Sequence, residues 1–398
     1  MTGFSIIGLF LVALPLTYLG LLALASASFQ RPKTAPNRPP SHRFIIAIPA
    51  HNEASVIATS IRQMQALNYP KDLFSIHVVA DHCSDKTAEI AREAGAFVHE
   101  RDTGPRTGKG IALSWLFQRV LRDEECDAVV IFDADTRVDP AFLQIMDVRL
   151  AQGDRVIQGQ HLISNPDGGW YPRLAWAMFL VDNRFQNLGR TNLGWSAKNM
   201  GDSICFRSGI LRKIGWGEGL TEDYQLRQRL LLEGVKITYE PAAIGRGEAP
   251  LTWAQARAQR MRWLRGTREA SQQFAQRLLL EGLKRRDLAI LDGAFQAYLP
   301  SYSTLTMFGV MFLFLQLLIN WQVGPIFSWG LIGLWLAIVA ALFIYPLIGL
   351  AFEKAPLKAY LAILSGMLFI IWRSWLALKV RFGKGAALWI RTAHVGEQ

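Results

Sequence analysis

The chain has 398 residues, of which 51% are hydrophobic, and a formal net charge of +11. Its length accommodates a complete soluble domain together with membrane segments, and its three cysteines lack metal-ligand spacing and are typical of thiols in a reducing compartment. Much of the positive charge flanks apolar segments, which favours a membrane surface and makes nucleic acid a poor candidate partner. These cations are Arg31, Lys33, Arg38 and Arg43 after the first apolar segment, and Arg257, Arg260, Arg262, Arg265, Arg268, Lys284, Arg285 and Arg286 before the second.

The first apolar segment, residues 4–28, contains no charged side chain. It is long enough to cross about 30 Å of hydrocarbon. Because it is too long for the apolar part of a signal peptide and no basic segment precedes it, an uncleaved anchor is favoured over a cleaved signal. We therefore predict a transmembrane helix within residues 1–30, followed by a proline-rich linker at 31–42.

Residues 43–249 are predicted to form an α/β domain in which short apolar strands alternate with helices. This alternation indicates a mostly parallel sheet with helices on both faces. Ligands bind such sheets beyond the carboxyl ends of the strands, where four polar clusters are expected to meet. The predicted elements are strand 44–50, helix 54–67, strand 75–80, helix 86–95, strand 96–100, helix 109–121 and strand 128–134, and the polar clusters are 50–53, 81–85, 101–110 and 133–135.

After the domain the chain becomes basic and then apolar again. Residues 250–296 are predicted to form amphipathic helices on the membrane surface, and 297–378 a transmembrane region followed by a basic tail at 379–398. Within that region 297–320 and 326–352 are long enough to span, whereas 359–378 is interrupted by Arg373 and is expected to be re-entrant or to lie on the surface. The positive-inside rule then places the middle domain in the cytoplasm and the N-terminus outside. The same arrangement keeps the tail cations Lys379, Arg381, Lys384 and Arg391 in the cytoplasm.

The stretch 128-AVVIFDADTRVDP-140 carries two carboxylates at the end of a predicted strand. In an extended segment Asp133 and Asp135 would point to the same face, where like charges repel unless a cation lies between them. Oxygen ligands of this kind suit Mg²⁺ or Mn²⁺, which would bridge to a diphosphate. The alternative is a turn in which Asp135 caps a helix that begins near Pro140.

The loop 104-GPRTGKG-110 is similar to a Walker loop. It is one residue too short between its glycines, and Gly110 occupies the position of the magnesium-binding Ser or Thr, which argues against a P-loop NTPase. Lys109 at the start of a helix would still meet a phosphate, unless the loop is only a turn that leads into the helix.

Two further stretches have both a structural and a chemical interpretation. In 220-LTEDYQ-225, Thr221 is expected to cap a helix and the two acids lie in its first turn, where one of them would be available as a base. In 259-QRMRW-263, Gln259, Arg262 and Trp263 share one helix face that would hold a diphosphate and a sugar ring, although Arg and Trp are also typical of a membrane boundary.

In this order the motifs IPAHNE, VVADHCSD, TGKG, DAD, TED and QRMRW resemble the membrane-bound family 2 glycosyltransferases, over roughly residues 43–268. That family includes cellulose, hyaluronan and chitin-oligosaccharide synthases and ceramide glucosyltransferase. The resemblance implies a GT-A fold that transfers a sugar from a nucleotide sugar, usually a UDP-sugar, with inversion at the anomeric carbon. The sequence departs from the family at His82, where a second acid or Asn is common.

The resemblance also implies a role for each matching residue. The nucleoside would be contacted by Ala50, Glu53 and Asp81, the diphosphate by Lys109, and the nucleotide and its metal ion by Asp133 and Asp135. The general base would be Asp223, and the donor and acceptor pocket would be completed by Gln259, Arg262 and Trp263. The acceptor side would include Glu222, Gly201, Asp202 and Ser203.

Three functions compete at this point. The function that we favour is that of an integral membrane enzyme, in a bacterial inner membrane with a cytoplasmic catalytic domain, that extends a β-linked polysaccharide or oligosaccharide, although the QRMRW motif does not separate it from the second. The second function is transfer of a single sugar from a UDP-sugar to a membrane lipid. The third is a transporter or an inactive scaffold, but a transporter would show more spans with ionisable residues, and an inactive scaffold would lack one of the acids.

Overall fold

The structure is a computed structural model that describes residues 2–28, 39–106, 108–123, 125–217 and 219–382. Most of the predicted linker and the tail beyond residue 382 lie outside the described residues. An eight-stranded sheet forms the centre of the domain, in the order β3-β2-β1-β4-β7-β6-β8-β5. The strands are β1 (Phe44–Ala50), β2 (Phe74–Asp81), β3 (Phe97–Arg101), β4 (Ala128–Ile131), β5 (Arg137–Val138), β6 (Val156–Ile163), β7 (Ile204–Arg207) and β8 (Ile237–Gly247).

Helices pack on both faces of the sheet and continue beyond it toward the C-terminus. A π-helical segment, Asp182–Leu188, joins two of them. The helices are α1 (Thr2–Ala25), α2 (Ile57–Gln65), α3 (Thr87–Glu93), α4 (Lys109–Asp123), α5 (Phe142–Ala151), α6 (Trp170–Val181), α7 (Gly189–Asn192), α8 (Ser208–Ile214), α9 (Glu222–Leu232), α10 (Trp253–Arg285), α11 (Leu288–Tyr298), α12 (Tyr302–Val323), α13 (Trp329–Phe352), α14 (Leu357–Ser365) and α15 (Met367–Phe382).

The parallel half of the sheet follows the predicted pattern. Strands β3, β2, β1 and β4 run parallel, β7 is antiparallel to both β4 and β6, and β6 is parallel to β8. In β1, Ile45 packs into the core beneath α4, whereas Phe44, Ile46 and Ile48 pack on the opposite face against α2. Because successive side chains of a strand point to opposite faces, this fully buried strand requires helices on both sides. The predicted mostly parallel α/β fold is confirmed.

The end of β4 differs from the prediction. The strand stops at Ile131, and Asp133 and Asp135 lie in the turn that follows it. Register pairing with β1 ends at the same point, Ala47 with Ile131, and the backbone N–H of Asp133 instead donates to the side chain of Asp202 at 3.0 Å. The argument that an extended backbone points both carboxylates to one face is therefore wrong.

The capping alternative for Asp135 is also wrong. The next helix, α5, begins only at Phe142, and the carboxylate near its start is Asp139, which accepts from the N–H of Ala141 at 3.0 Å. Asp135 Oδ2 instead accepts from the backbone N–H of Glu248 at 2.8 Å, a contact with a distant part of the chain.

Among the described residues, three helices are long and apolar enough to span a membrane: α1, α12 and α13. Many of their large apolar side chains face outward, as lipid contact requires; Phe10 is 69% exposed and Trp321 79% exposed. The span predicted at 297–320 begins only at Tyr302, because α11 ends before Pro300 and a new helix begins after it. Residues 359–378 form α14 and α15, bent by 53°, so the re-entrant arrangement stays a prediction.

A buried ionic network joins α1 to the domain and to α11. Asp292 accepts from Arg190 Nε at 2.9 Å, from Arg227 Nη2 at 3.1 Å and from the Tyr18 hydroxyl at 2.5 Å. The side chains of Asp292, Arg190 and Arg227 are fully buried. Two guanidinium groups therefore depend on one carboxylate in a place that water does not reach.

We expect Asp292→Asn to destabilise the protein strongly, because it leaves two buried guanidinium groups without a counter-charge. Removing one partner of a buried ion pair costs about 3–5 kcal/mol. The thermal unfolding midpoint in detergent micelles measures the effect. Glu233→Gln is the matched control, since it breaks the Lys213–Glu233 pair whose side chains are 70% and 46% exposed, and no measurable shift is expected. Equal shifts in the two variants would contradict the role given to Asp292.

Candidate active site

One cavity of about 1850 Å³ lies at the carboxyl edge of the sheet and continues among the apolar helices. Tyr18 of α1, Phe308 of α12 and Tyr345 of α13 are part of its wall. The cavity brings together most of the residues that the sequence singled out. Those that line it are Ala50, Glu53, Asp81, Lys109, Asp133, Asp135, Asp202, Glu222, Asp223, Gln259, Arg262 and Trp263.

Lys109 is the central cation of this cavity. It begins α4 as predicted, and its Nζ donates to Asp133 Oδ1 and to the carbonyl of Gly201, both at 2.8 Å. Burial alone would lower the pKa of Lys109, but the carboxylates of Asp133 and Glu222 outweigh burial and raise it. Lys109 therefore carries its positive charge at any physiological pH.

Gly201 occupies a position that favours glycine. Its φ is +74°, in the left-handed region, and a Cβ there would lie 3.0 Å from Asp223 Oδ2 and 3.2 Å from Lys109 Nζ. Its carbonyl is one of the two acceptors of Lys109. Because Gly201 has no Cβ, the side chains of Asp223 and Lys109 can both approach the backbone at this point.

Asp202 supports the turn that contains the two strand-end aspartates. Its Oδ1 accepts from the N–H of Asp133 and from the Thr136 hydroxyl, both at 3.0 Å. Its Oδ2 contacts His161 Nδ1 at 2.6 Å and accepts from the Ser203 hydroxyl at 3.2 Å. Burial would raise the pKa of Asp202, but the hydrogen bond from His161 lowers it. Asp202 stays ionised, and this geometry supports a positioning role for Asp202 and for the buried Ser203.

Asp133 and Asp135 line the same cavity. Burial alone would lower the pKa of His161, but its hydrogen bond with Asp202 and, to a smaller extent, the charges of Asp133 and Asp135 raise it. Among the described residues, no group of three or more His, Cys, Asp or Glu side chains could hold a metal ion. Mg²⁺ and similar ions are commonly held by one or two carboxylates together with substrate phosphates. The donor set of two carboxylates therefore fits a metal ion that arrives with a diphosphate.

Glu222 and Asp223 lie in the first turn of α9, but the predicted cap is absent. Thr221 occupies the N-cap position without a capping hydrogen bond, and its buried hydroxyl has no partner within the described part of the chain. Burial and the neighbouring Asp223 carboxylate raise the pKa of Glu222 to about 7. Burial also raises the pKa of Asp223, although Lys109 opposes it. A carboxylate with a raised pKa, once ionised, is a stronger base than a carboxylate of ordinary pKa.

At the carboxyl ends of β2 and β3, Asp81 is only 4% exposed and forms an ion pair with Arg101, which is 3% exposed. His82 Nδ1 lies 3.1 Å from the same carboxylate. Register places Asp81 beside Arg101 at the ends of β2 and β3, and Ala50 ends β1 next to them. Glu53 follows β1 and anchors its loop through its N–H, which donates to the Thr87 hydroxyl at 2.7 Å.

Arg101 lies in the predicted polar cluster 101–110 but was given no role of its own from the sequence, and His161 was missed. Arg101 was identifiable as a charged residue at the carboxyl end of a strand that runs into a predicted ligand edge. His161 was identifiable as a polar residue in the apolar strand β6, VIQGQHLI. The two pairings, Arg101 with Asp81 and His161 with Asp202, join residues that are distant in the chain and were not identifiable from the sequence.

Comparison with known proteins agrees with this geometry. The model of the family described as "Glycosyltransferase like family 2" matches residues 39–266, more than half of the chain. The probable glycosyltransferase YdaM of Bacillus subtilis is 26% identical over 379 residues, which cover 89% of this chain and 85% of that protein. The beta-monoglucosyldiacylglycerol synthase of Trichormus variabilis is 30% identical over 233 residues, 56% of this chain and 48% of that protein, so the match spans about half of that relative.

Among solved structures, the mannosyltransferase PcManGT from Pyrobaculum calidifontis, in complex with GDP-Man and Mn²⁺, is similar with a TM-score of 0.57. The match covers 91% of this chain and 99% of that one at 17% identity, which establishes likeness of fold. The family match and the fold confirm the resemblance that the six motifs indicated. The chain belongs to glycosyltransferase family 2 and is a glycosyltransferase with a GT-A fold.

Proposed function

We propose that the chain transfers a sugar from a UDP-sugar, with inversion at the anomeric carbon, to a lipid acceptor that enters the cavity from the membrane. The observation that carries the proposal is the continuity of one cavity. It contains Asp223, Lys109 and the two strand-end aspartates, and it extends between α1, α12 and α13. A donor from the aqueous side and an acceptor from the bilayer would meet there.

Asp223 is proposed as the general base. Its carboxylate would accept the proton of an acceptor hydroxyl while that oxygen attacks the sugar carbon on the face opposite the leaving diphosphate. Its raised pKa increases its affinity for that proton, and Lys109 nearby limits the increase so that the carboxylate still ionises. Tyr224 N–H donates to Asp223 Oδ1 at 2.7 Å and restrains the group.

The departing diphosphate needs positive charge. Lys109 and Arg262 both line the cavity, and a guanidinium fork matches the paired oxygens of a phosphate. Asp133 and Asp135 would hold a divalent ion, Mg²⁺ or Mn²⁺, which when bound neutralises phosphate charge. The similar mannosyltransferase structure holds Mn²⁺ and a nucleotide sugar, which supports a metal of this kind. Trp263 and Gln259 would contact the sugar.

The lining of the cavity supports a lipid as the acceptor. Its wall includes Leu11 and Leu19 of α1, Phe308 of α12 and Leu347 of α13. Apolar side chains suit an acyl chain, whereas a growing polysaccharide needs hydrogen-bonding partners along its path. The similarity to a beta-monoglucosyldiacylglycerol synthase points the same way. Synthesis of a β-linked polysaccharide, which the sequence favoured, is the second candidate, because Tyr18, Tyr302 and Tyr345 also line the cavity and aromatic rings can stack on sugars.

We expect Asp223→Asn to reduce turnover by about 10²- to 10⁴-fold, the usual contribution of a general base, with nearly unchanged UDP affinity. Release of UDP and equilibrium binding of UDP measure the two effects. Asp167→Asn, on a carboxylate that is 69% exposed, is the control and should retain full turnover. Loss of UDP binding in Asp223→Asn, or full turnover in it together with a large loss in Glu222→Gln, would contradict the assignment.

Chelation of divalent ions should stop turnover, and re-addition of Mg²⁺ or Mn²⁺ should restore it. Asp133→Ala and Asp135→Ala should each reduce turnover by about a thousandfold, because several kcal/mol of charge stabilisation are lost, and added metal should not rescue them. Thermal unfolding establishes that both variants fold. Turnover that continues in a chelator would exclude the metal role.

Product analysis tests the acceptor. Membranes that contain the protein are incubated with a panel of labelled nucleotide sugars, and the products are extracted into organic solvent and sized. A single labelled sugar on an extractable lipid is expected. Asp223→Asn membranes provide the background. A water-soluble ladder of increasing length would support the polysaccharide candidate and overturn the lipid acceptor.

A further inference from the structure

Two arginines outside the proposed catalytic residues line the same cavity without a carboxylate partner in the described part of the chain. Arg260 of α10 is 7% exposed, and its Nε donates to the Tyr171 hydroxyl at 3.0 Å. Its guanidinium lies 4.7 Å from the centre of the Trp263 ring. Arg373 of α15 donates through Nη1 to the Ser303 hydroxyl at 3.2 Å.

The two guanidinium groups belong to one site. Arg260 lies 5.6 Å from the ring centre of Phe369, and Phe369 and Arg373 are four residues apart on one face of α15. Both arginines line the same cavity, and their helices α10 and α15 pack against each other. Two like charges held together in a largely apolar region are unfavourable unless an anion lies between them.

Unpartnered polar atoms at the same place point to a missing ligand. Ser374 is 2% exposed and lines the cavity, and its hydroxyl has no hydrogen-bond partner among the residues that the structure describes. The Nε of Arg373 is also buried, and no described residue accepts a hydrogen bond from it. Buried polar groups are nearly always hydrogen-bonded in folded proteins. An anion with several acceptor oxygens would satisfy both donors.

The surroundings indicate that the anion carries an apolar chain. Phe369 packs with Tyr171, Leu174 and Ile363 in an apolar cluster beside Arg260. Ile370, one residue beyond Phe369, also lines the cavity. A ligand that fills this place therefore needs both negatively charged oxygens and hydrocarbon.

We propose that Arg260, Arg373 and Ser374 bind the phosphate group of a membrane lipid inside the cavity. Guanidinium groups bind phosphate through paired hydrogen bonds, and two of them match the charge of a phosphate monoester. The proposal rests on the proposed function, since it specifies the class of lipid that enters the acceptor side of the cavity. Within the QRMRW motif, Gln259, Arg262 and Trp263 are proposed to contact the donor, whereas Arg260 is assigned to the lipid.

The test measures binding to the full-length protein in phospholipid-free detergent by thermophoresis. Three probes are compared: dioctanoyl phosphatidic acid, dioctanoylglycerol with the same acyl chains, and inorganic phosphate. We expect phosphatidic acid to bind at least about tenfold more tightly than either other probe, as hydrogen bonds to charged groups contribute at this level. Equal binding of dioctanoylglycerol would overturn recognition of phosphate, and equal binding of inorganic phosphate would overturn the lipid.

Variants assign the effect to the arginines. Arg260→Gln and Arg373→Gln should each weaken phosphatidic acid binding by about tenfold or more, and Ser374→Ala should weaken it by a smaller factor. Arg257→Gln is the matched control, because Arg257 is exposed on the same helix and should leave binding unchanged. If Arg260→Gln fails to fold, Arg373→Gln and Ser374→Ala still decide the question. Unchanged binding in the folded variants would overturn the proposal.

Failure of this site is distinguishable from failure of the proposed function. UDP binding to the wild-type protein is measured in the same detergent. Phosphatidic acid binding that depends on the arginines, without UDP binding, would leave the lipid site standing and remove the proposed transfer reaction. UDP binding without phosphatidic acid binding would overturn the lipid-phosphate site and leave the proposed transfer reaction standing.

Discussion

The catalytic cavity depends on the contact between Lys109 and Asp133. The ammonium group of Lys109 interacts electrostatically with four carboxylates, those of Asp133, Asp202, Glu222 and Asp223. At a separation of 4 Å two like charges repel by about 4 kcal/mol at an effective dielectric constant of 20, so such a cluster holds together only around a cation. Because Lys109 Nζ also binds the Gly201 carbonyl, the same contact ties the start of α4 to the turn after β4 and to the loop before β7.

A second constraint sets the position of the membrane-side wall. Asp292 holds Tyr18 of α1, Arg190 next to the π-helical segment and Arg227 of α9 in one buried network. Asp223 lies one turn before Arg227 on the same helix, so the residue proposed as base and the apolar helix α1 are positioned by a shared set of contacts. Through this network the first apolar helix becomes part of the site, and it has a role beyond that of an anchor.

Features determined by local periodicity were predictable from the sequence. Strand β1 was predicted at its observed bounds, α4 at its observed start, and the sheet edge as the place where the polar clusters meet. The errors concern contacts between distant residues. The turn at Asp133 is set by Asp202, 69 positions away in the chain, and the raised pKa of Glu222 comes from burial, which no local pattern reveals. Arg101 and His161 received no individual role for the same reason, since each pairs with a carboxylate that is distant in the chain: Asp81 at the end of β2 and Asp202 in the loop before β7.

Acidic and basic side chains line different parts of the cavity. Around Asp133 and Asp135 the wall is acidic, so a diphosphate can approach only with a cation between it and the carboxylates. Around Arg260 and Arg373 the wall is basic, and a phosphate group there needs no metal. Trp263 lies beside the basic region, since the Arg260 guanidinium is 4.7 Å from the centre of its ring, and it lines the same cavity as Asp133 and Asp135. A nucleotide diphosphate and a lipid phosphate in the same cavity would thus occupy different ends because of charge alone, and Trp263, which lines the cavity beside Arg260, would be available to contact the sugar.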